Sequence, residues 1–270
     1  MQVGVNLLNF GPGASPDTLL RWAQVSEALG YQSVMVSDHV AVTPDVGKFY
    51  PETFYDPFTL LTWLVAQTKQ VTLGTTAIIL PYRNPILTAR LAANLDHLSG
   101  GRFIFGVGAG WAEQEFAALG VPFCQRGRMA DEYIEAMKAL WATDGQVSYQ
   151  GEMVSFSGVS GIPPKQSPHP PIWVDGNTEA AMRRAVRYGD GWHPINFTRP
   201  WIRKQATALK RLAEEACRPV PALCPRIQLK LTEREVPGDE RVMGIGSLEQ
   251  VRGDLALLQE LGARHVTLDW

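Results

Sequence analysis

Apolar residues in this chain alternate between short continuous runs and longer stretches with helical spacing. Two of the runs, residues 71–80 and 102–107, have the length and the β-branched or aliphatic content typical of strands covered on both faces. Between them, Asn84 and Pro85 predict a helix start, because Asn caps free backbone N–H groups and Pro has no N–H to satisfy. This stretch therefore predicts a strand, a helix and a second, parallel strand.

The same alternation extends along the whole chain. A helix beginning at Ser15–Pro16 follows the first strand, and Ser247 with Gln250 predicts a capping box before the last helix. Each of the first seven strand candidates precedes helical sequence, which predicts an α/β fold of the (β/α)8 TIM-barrel type rather than an open doubly wound sheet. The candidates are residues 2–8, 33–37, 71–80, 102–107, 171–175, 191–193, 227–232 and 265–268.

One segment breaks this rhythm between strands four and five. Within residues 145–170, the sequence VSYQGEMVSF alternates like a small hairpin with its turn near Gln150–Gly151, and a Pro- and Ser-rich stretch follows. We expect an insertion over one face of the barrel, within a single domain that covers residues 1–270.

Composition narrows the function classes. A formal net charge of -2 gives no reason to expect a nucleic-acid partner. Neither a signal peptide nor a run of about 18 apolar residues is present, so we expect a soluble, cytoplasmic protein without membrane contact. The three cysteines, at positions 124, 217 and 224, contain no C-x-x-C pair, which favours a reducing compartment over a disulfide framework or a zinc knuckle.

Candidate chemistry lies where strands end, because TIM barrels place their reactive groups at the carboxyl ends of their strands. Asp38–His39 follows strand two, Thr75–Pro81 and Gly106–Trp111 end strands three and four, and Asp175–Thr178 follows strand five. These segments are rich in amides, hydroxyls and aromatic rings but lack the paired carboxylates of a glycosidase. A metal-dependent hydrolase using Asp38, His39, Asp175 and His193 is an alternative on spacing alone, although we predict no metal.

Several motifs together resemble the luciferase-like monooxygenase superfamily, and more narrowly its coenzyme F420-dependent oxidoreductases. They are SDHV, LGTTAIILPYRNP, GRFIFGVGAGW, EFAALG and WVDGNTEAAMRRAVRYGDGW. The resemblance covers residues 2–196 and implies hydride transfer between coenzyme F420 and a small apolar or aromatic substrate. The alternatives are an FMNH2-dependent two-component monooxygenase, supplied by a separate enzyme that reduces the cofactor, and a non-catalytic cofactor-binding relative. Relatives are often dimers, so the resemblance also implies a homodimer.

The resemblance implies a set of cofactor-binding residues. The ring would rest on a bulge at Thr75, Thr76 and Ala77, with a cis peptide bond between Thr76 and Ala77, although this run by itself reads as an ordinary buried strand. Ala109 and Gly110 would approach the ribityl chain, or form only a tight turn. Gly176, Asn177 and Thr178 would hold a phosphate at a helix start. Arg126 and Arg128 would meet the acidic cofactor tail, or belong to a solvated helix start.

The catalytic residues implied by the resemblance are His39, as the group that gives or takes a proton, and Asp38, which would orient His39 or bond the cofactor. The alternative for His39 is a structural hydrogen bond at a strand end. Trp111 stands where related sugar-phosphate dehydrogenases carry a glutamate acid, so their substrate and acid do not transfer to this chain. We predict an apolar substrate pocket lined by Phe10, Trp111, Trp192 and His193, with buried core as the alternative for the aromatic residues.

Overall fold

The computed structural model describes residues 1–269 and contains alternating short strands and helices. The strands are β1 (Gln2–Leu7), β2 (Ser33–Val36), β3 (Thr72–Thr75), β4 (Ile78–Ile79), β5 (Phe103–Gly108), β6 (Gln146–Gln150), β7 (Ser155–Ser160), β8 (Ile172–Asp175), β9 (Gly191–His193), β10 (Ala222–Leu223), β11 (Arg226–Gln228), β12 (Lys230–Leu231), β13 (Ile245–Gly246) and β14 (His265–Asp269). The helices are α1 (Pro16–Ala28), α2 (Pro44–Gly47), α3 (Pro57–Val65), α4 (Pro85–Leu98), α5 (Glu113–Ala118), α6 (Arg126–Trp141), α7 (Glu179–Tyr188), α8 (Arg199–Glu215) and α9 (Leu248–Glu260), with 3-10 turns at Leu80–Tyr82 and Phe123–Gln125.

The parallel sheet has the strand order β10-β9-β8-β5-β3-β2-β1-β14-β11, and β4 extends the β3 position against β5. Only two residues separate β10 from β11, and the N–H groups of Cys224 and Arg226 donate to the carbonyls of Trp192 and Pro194. The two end strands therefore occupy one position between β9 and β14, and the sheet closes on itself. This arrangement confirms the predicted TIM-barrel fold.

The prediction for the seventh barrel strand was wrong. The barrel strand is β10 with β11, whereas much of the predicted range 227–232 continues into β12, which pairs with β13 outside the barrel. Pro225 lies between β10 and β11 and has no N–H to donate to a ladder. This interruption divides the strand into two short pieces whose apolar pattern is weak.

Strand geometry explains why two glycines are needed inside the barrel. A Cβ atom on Gly74 would lie 2.5 Å from the sulfur of Met35, and one on Gly106 would lie 1.9 Å from the carbonyl oxygen of Thr75. On the outer face, the Trp141 ring packs edge-on against Phe105 at 6.0 Å and donates its Nε1–H to the Ala89 carbonyl. The narrow interior and the apolar outer layer together fix the carboxyl ends of the strands.

The predicted hairpin at residues 145–170 is present as the antiparallel pair β6–β7, with its turn after Gln150. The Glu132 carboxylate of α6 accepts N–H bonds from Met153 and Val154 and so fixes this turn against the helix layer. Across residues 1–269, no helix is both long and apolar enough to cross a membrane.

Candidate active site

His39 lies three residues after the end of β2, at the carboxyl end of the barrel, and is 7% exposed. Its Nδ1 atom is 2.6 Å from Oε2 of Glu115, which comes from α5 and is fully buried. The other oxygen, Oε1, accepts the N–H groups of Val40 and Ala41 at 2.6 and 2.9 Å, and the Tyr82 hydroxyl donates to Oε2 at 3.0 Å. The Glu115 carboxylate therefore holds both the His39 ring and the backbone of the two residues after it in place.

The protonation of this pair follows from its contacts. Burial raises the pKa of Glu115, but the bonds from His39, Ala41 and Val40 outweigh burial and leave this pKa below its ordinary value. Glu115 is then an ionised acceptor, so Nδ1 of His39 carries a hydrogen and donates it, while Nε2 has no hydrogen-bond partner among residues 1–269. An imidazole held in this way is able to accept a proton at Nε2 and give it back.

Asp38 does not orient His39, contrary to one of the two roles suggested for it. Its carboxylate receives both ends of the Arg83 guanidinium, at 2.6 and 2.8 Å, and the N–H of Ile79 at 2.9 Å. This bidentate pair satisfies the buried carboxylate and anchors the segment after the bulge to β2. The carboxylate that orients His39 is that of Glu115, a residue for which the sequence predicts no role.

A weak signal for Glu115 is present in the sequence. It lies in the EFAALG motif next to Phe116, and both residues fall on the buried face of α5, whereas Glu113 is exposed. An acidic residue at an apolar helical position requires a buried partner. The sequence cannot identify that partner, because His39 is 76 residues away.

Aromatic rings surround His39 and form what we call the aromatic box, consisting of Phe10, Tyr50, Phe54 and Trp111. The ring of His39 lies 5.0 Å from Tyr50, 5.5 Å from Phe54 and 5.8 Å from Trp111, measured between centroids. Phe10 stacks on Phe54 at 5.2 Å and meets Tyr50 edge-on at the same distance. Trp111 remains 44% exposed, so the box opens to solvent on that side.

Trp192 and His193, both predicted to line the substrate pocket, are fully buried, so neither side chain is in contact with solvent. Trp192 is fully buried, packs against Trp201 of α8 at 5.9 Å, and donates its Nε1–H to the Gly176 carbonyl. Neighbouring strand residues point to opposite faces. Trp192 consequently belongs to the helix side of the sheet, while His193 points into the barrel.

The peptide bond between Thr76 and Ala77 is cis, as the resemblance implied. The side chain of Thr75 donates to the Gly106 carbonyl at 2.7 Å, and that of Thr76 lies 2.7 Å from Nε2 of His193. Both hydroxyls are therefore used inside the protein, and Ala77 is buried but lies beside Gly108. Contacts from this bulge to a ligand would come from its backbone and from Ala77.

His193 and Arg226 support the bulge from below. Nδ1 of His193 lies 2.5 Å from the Cys224 carbonyl, which accepts its hydrogen, and burial lowers the pKa of His193 to about 3. Arg226 donates to the Thr76 carbonyl at 3.1 Å and binds Oδ2 of Asp269 through Nε and Nη2 at 3.0 and 2.5 Å. His193 is thus a neutral structural group beneath the mouth.

Two of the three residues predicted to bind phosphate, Asn177 and Thr178, already use their side chains in hydrogen bonds within the protein. The Asn177 side chain bonds both the N–H and the carbonyl of Ile195, and the Thr178 hydroxyl caps α7 by accepting the Ala181 N–H. A phosphate at Gly176, Asn177 and Thr178 would therefore meet backbone N–H groups rather than these side chains.

The second glycine-rich turn is closely packed. A Cβ atom on Gly110 would lie 2.7 Å from Cγ2 of Ile79, and the turn has a left-handed φ of 83° at this residue. Arg126 donates to the Gly110 carbonyl at 3.2 Å, whereas Arg128 pairs with Glu152. Ala109 next to Gly110 is partly exposed, so the backbone of this turn is approachable from the mouth.

The mouth suits a flat ligand with polar edges. Three buried side-chain oxygens in residues 1–269 have no hydrogen-bond partner: Asn6 Oδ1, Ser37 Oγ and Thr267 Oγ1. They come from β1, from the residue after β2 and from β14, which are neighbours in the barrel. The absence of a side chain at Gly108 leaves room beside Ala77, which a Cβ atom would fill. These features fit a ring of the isoalloxazine type.

Residues 38, 39, 175 and 193 form no metal-ligand group in the described part of the chain.

Comparison with known proteins gives relatives with the same barrel. The chain is 34% identical over 205 residues to the uncharacterised protein Rv0953c of Mycobacterium tuberculosis, covering 71% of each chain. An F420-dependent secondary alcohol dehydrogenase in complex with an F420-acetone adduct superposes with a TM-score of 0.82 at 19% identity, covering 99% of this chain and 92% of that one.

A second solved structure with the same fold contains the other type of cofactor. The oxygenating constituent of 3,6-diketocamphane monooxygenase from Pseudomonas putida, in complex with FMN, has a TM-score of 0.77 at 18% identity and covers 100% of this chain and 91% of that one. Similarity at this identity shows the fold alone. The sequence profile described as luciferase-like monooxygenase matches residues 1–235, and with the M. tuberculosis relative it shows that this chain is an oxidoreductase that belongs to the luciferase-like monooxygenase family.

Proposed function

We propose that this protein transfers a hydride between coenzyme F420 and a small apolar or aromatic organic substrate. The observation that carries the proposal is the buried His39–Glu115 pair at the barrel mouth, beside the Thr76–Ala77 bulge and inside the aromatic box. When bound, the deazaflavin ring supplies the hydride acceptor or donor. The protein supplies orientation, exclusion of water and one proton path.

Each part of the site has a task in this proposal. Glu115 holds the Nδ1 hydrogen of His39, which leaves Nε2 as the atom that takes or returns a proton. The aromatic box excludes water around His39 and offers flat apolar walls to a substrate. The backbone at Gly176 and α7 would hold the phosphate, and the backbone at Ala109 and Gly110 would approach the ribityl chain.

An FMNH2-dependent two-component monooxygenase is the second candidate, since the FMN complex named above has the same fold. In that case a separate enzyme would reduce the cofactor and supply it to this barrel. A homodimer with a small-molecule substrate is part of the proposal in either case. The two candidates differ in which cofactor binds.

Cofactor choice is tested by titrating the purified protein with coenzyme F420 and with FMN, each oxidised and reduced, and following fluorescence. We expect F420 to bind at least tenfold more tightly than FMN. Tight binding of reduced FMN alone would transfer the proposal to the monooxygenase and require a test of oxygen consumption. If neither cofactor binds, both candidates fail.

The role of Glu115 is tested with Glu115→Gln, using Glu113→Gln on the exposed face of the same helix as the control. Glutamine keeps the shape but removes the charge that holds the Nδ1 hydrogen of His39. We expect kcat to fall about 10- to 100-fold, while the dissociation constant of the cofactor changes less than about threefold. Equal kcat values in the two variants would show that Glu115 has only a structural role.

A further inference from the structure

Asp175 is a carboxylate at the mouth that the proposed function leaves without a task. It ends β8 and stands opposite His193 in the parallel register. The position where Gly108 would carry a Cβ atom is 3.5 Å from Oδ2 of Asp175 and 3.7 Å from Cβ of Ala77. Asp175 therefore lies beside the bulge, on the side of β5 and β8, whereas His39 approaches from β2.

The charged groups that face Asp175 come from several elements. Arg226 of β11 is the cation that acts on it, but two nitrogens of this guanidinium already bind Asp269 of β14. His193 of β9 is neutral, and the Tyr50 side chain, from the segment before α3, lies near enough for the charge of Asp175 to act on it. Asp175 thus has no dedicated counter-ion among residues 1–269, unlike Asp38 with Arg83.

Burial raises the pKa of Asp175 to about 6, while Arg226 and the neighbouring N–H of Gly176 act in the opposite direction. The carboxyl group therefore changes its charge between mildly acidic and neutral pH. Gly176, the next residue, begins the segment where the proposed function places the cofactor phosphate. Asp175 consequently lies between the proposed seat of the ring and that of the phosphate.

We propose that ionised Asp175 weakens binding of the anionic cofactor, so that affinity rises when Asp175 takes up a proton. This inference rests on the proposed function. The shared chemistry is a negative charge, which resides on the phosphate or on a reduced ring that has lost a proton. Like charges about 6–8 Å apart, at an effective dielectric constant of about 20 to 40, change a dissociation constant by about tenfold or more. The bound complex then holds a fraction of a proton more than the free protein, at pH values between the pKa of Asp175 in the free protein and its higher pKa in the complex.

The test compares wild type with Asp175→Asn, using Glu179→Gln as the control because Glu179 is an exposed carboxylate in the first turn of α7. The dissociation constant of reduced coenzyme F420 is measured from pH 5.5 to 8. At each pH the dissociation constant of the variant is divided by that of wild type, because the titration of the cofactor itself affects both constants equally and drops out of the ratio. We expect Asp175→Asn to bind about tenfold more tightly than wild type at pH 7.5 and equally at pH 5.5.

A second arm separates the two sources of charge. The same series is run with the phosphate-free deazariboflavin core of F420, in its oxidised and reduced forms. If the pH-dependent ratio is lost with this probe, the phosphate carries the effect; if it persists only with the reduced form, the ring carries it. Either result supports the proposal. Calorimetry of wild type in buffers of different ionisation enthalpy should also detect proton uptake on binding at pH 7.

Three outcomes would overturn the inference. The ratio for Asp175→Asn would be constant across the pH range, Glu179→Gln would show the same change, or calorimetry would detect no proton uptake. These results leave the proposed function standing as long as F420 binds wild type. If neither reduced F420 nor reduced FMN binds wild type at any pH in the range, the proposed function fails and this inference fails with it.

Discussion

The two sides of the barrel mouth have the same types of residue and use them differently. Each side has a buried histidine and an Arg–Asp pair. On one side His39 bonds an ionised carboxylate, Glu115, and its Nε2 has no hydrogen-bond partner in the described part of the chain. On the other, His193 bonds a hydroxyl and a carbonyl, so both ring nitrogens are used. A buried histidine is therefore a candidate for proton transfer only where its partners leave one nitrogen free.

The Arg–Asp pairs differ in the same way. Arg83 gives both terminal nitrogens to Asp38 and anchors the segment after the bulge, whereas Arg226 divides its donors between Asp269 and the Thr76 carbonyl. The first pair fixes the wall of the His39 side. The second supports the bulge from inside the barrel, and within residues 1–269 it leaves Asp175 without a dedicated counter-ion.

The largest stability effect is expected for Arg83→Ala. This change leaves the buried Asp38 carboxylate with the Ile79 N–H but without its counter-ion, so the free energy of unfolding should fall by about 3–5 kcal/mol. Arg90→Ala, at an exposed position of α4, should change it by less than about 0.5 kcal/mol. Urea unfolding of both variants measures the difference. Equal effects would mean that the Asp38–Arg83 pair does not stabilise the His39 side.

On the His193 side of the mouth, we expect the free energy of unfolding to depend on pH because the buried His193 is neutral in the folded protein. The folded pKa of about 3 lies below the ordinary value of 6.5, so the unfolded chain binds more protons below pH 6.5 and stability falls as the pH falls. Between pH 6.5 and 4 this amounts to about 3 kcal/mol. The buried His265, whose pKa is lowered to about 4, adds to the loss, and Asp175, whose pKa is raised, opposes it between about pH 4 and 6.

His193→Asn should remove the largest share of this slope, and His97→Asn, at an exposed position, is the matched control. Chemical unfolding at four or five pH values tests the prediction. A slope equal to that of wild type in His193→Asn would show that His193 is not the main neutral buried base of this side.

The smallest effects are expected from the two tryptophans that the sequence placed in one pocket. Trp192→Phe removes a buried Nε1–H bond and some volume, so it should cost about 1–2 kcal/mol of stability and leave KM for the substrate unchanged. Trp111→Phe, at a position 44% exposed beside His39, should cost less than about 0.5 kcal/mol but change KM a few-fold. The opposite result would return Trp192 to the substrate pocket.

Much of the barrel was predictable because its signals are local. Caps such as Asn84 before α4 and the Ser247–Gln250 capping box are both present, since each depends on backbone groups within three or four residues. The hairpin β6–β7 and the glycine-ended helices follow for the same reason. The seventh strand was misplaced because Pro225 interrupts its run of apolar residues. Its position depends on pairing with β9 and β14, which the residues of the strand itself do not reveal.

The amino-acid sequence was enough to predict the order of strands and helices, the location of the mouth at strand ends and His39 as a residue of that mouth, because hydrophobic periodicity, helix caps and strand ends depend on neighbouring residues. Three features became visible only in the folded protein: Glu115 rather than Asp38 bonds His39, Trp192 packs on the helix side of the sheet, and Asp175 has no dedicated counter-ion among residues 1–269. These outcomes depend on which side chains meet in the folded chain, in one case 76 residues apart, and on the water that they lose there. Neighbouring residues do not encode that information.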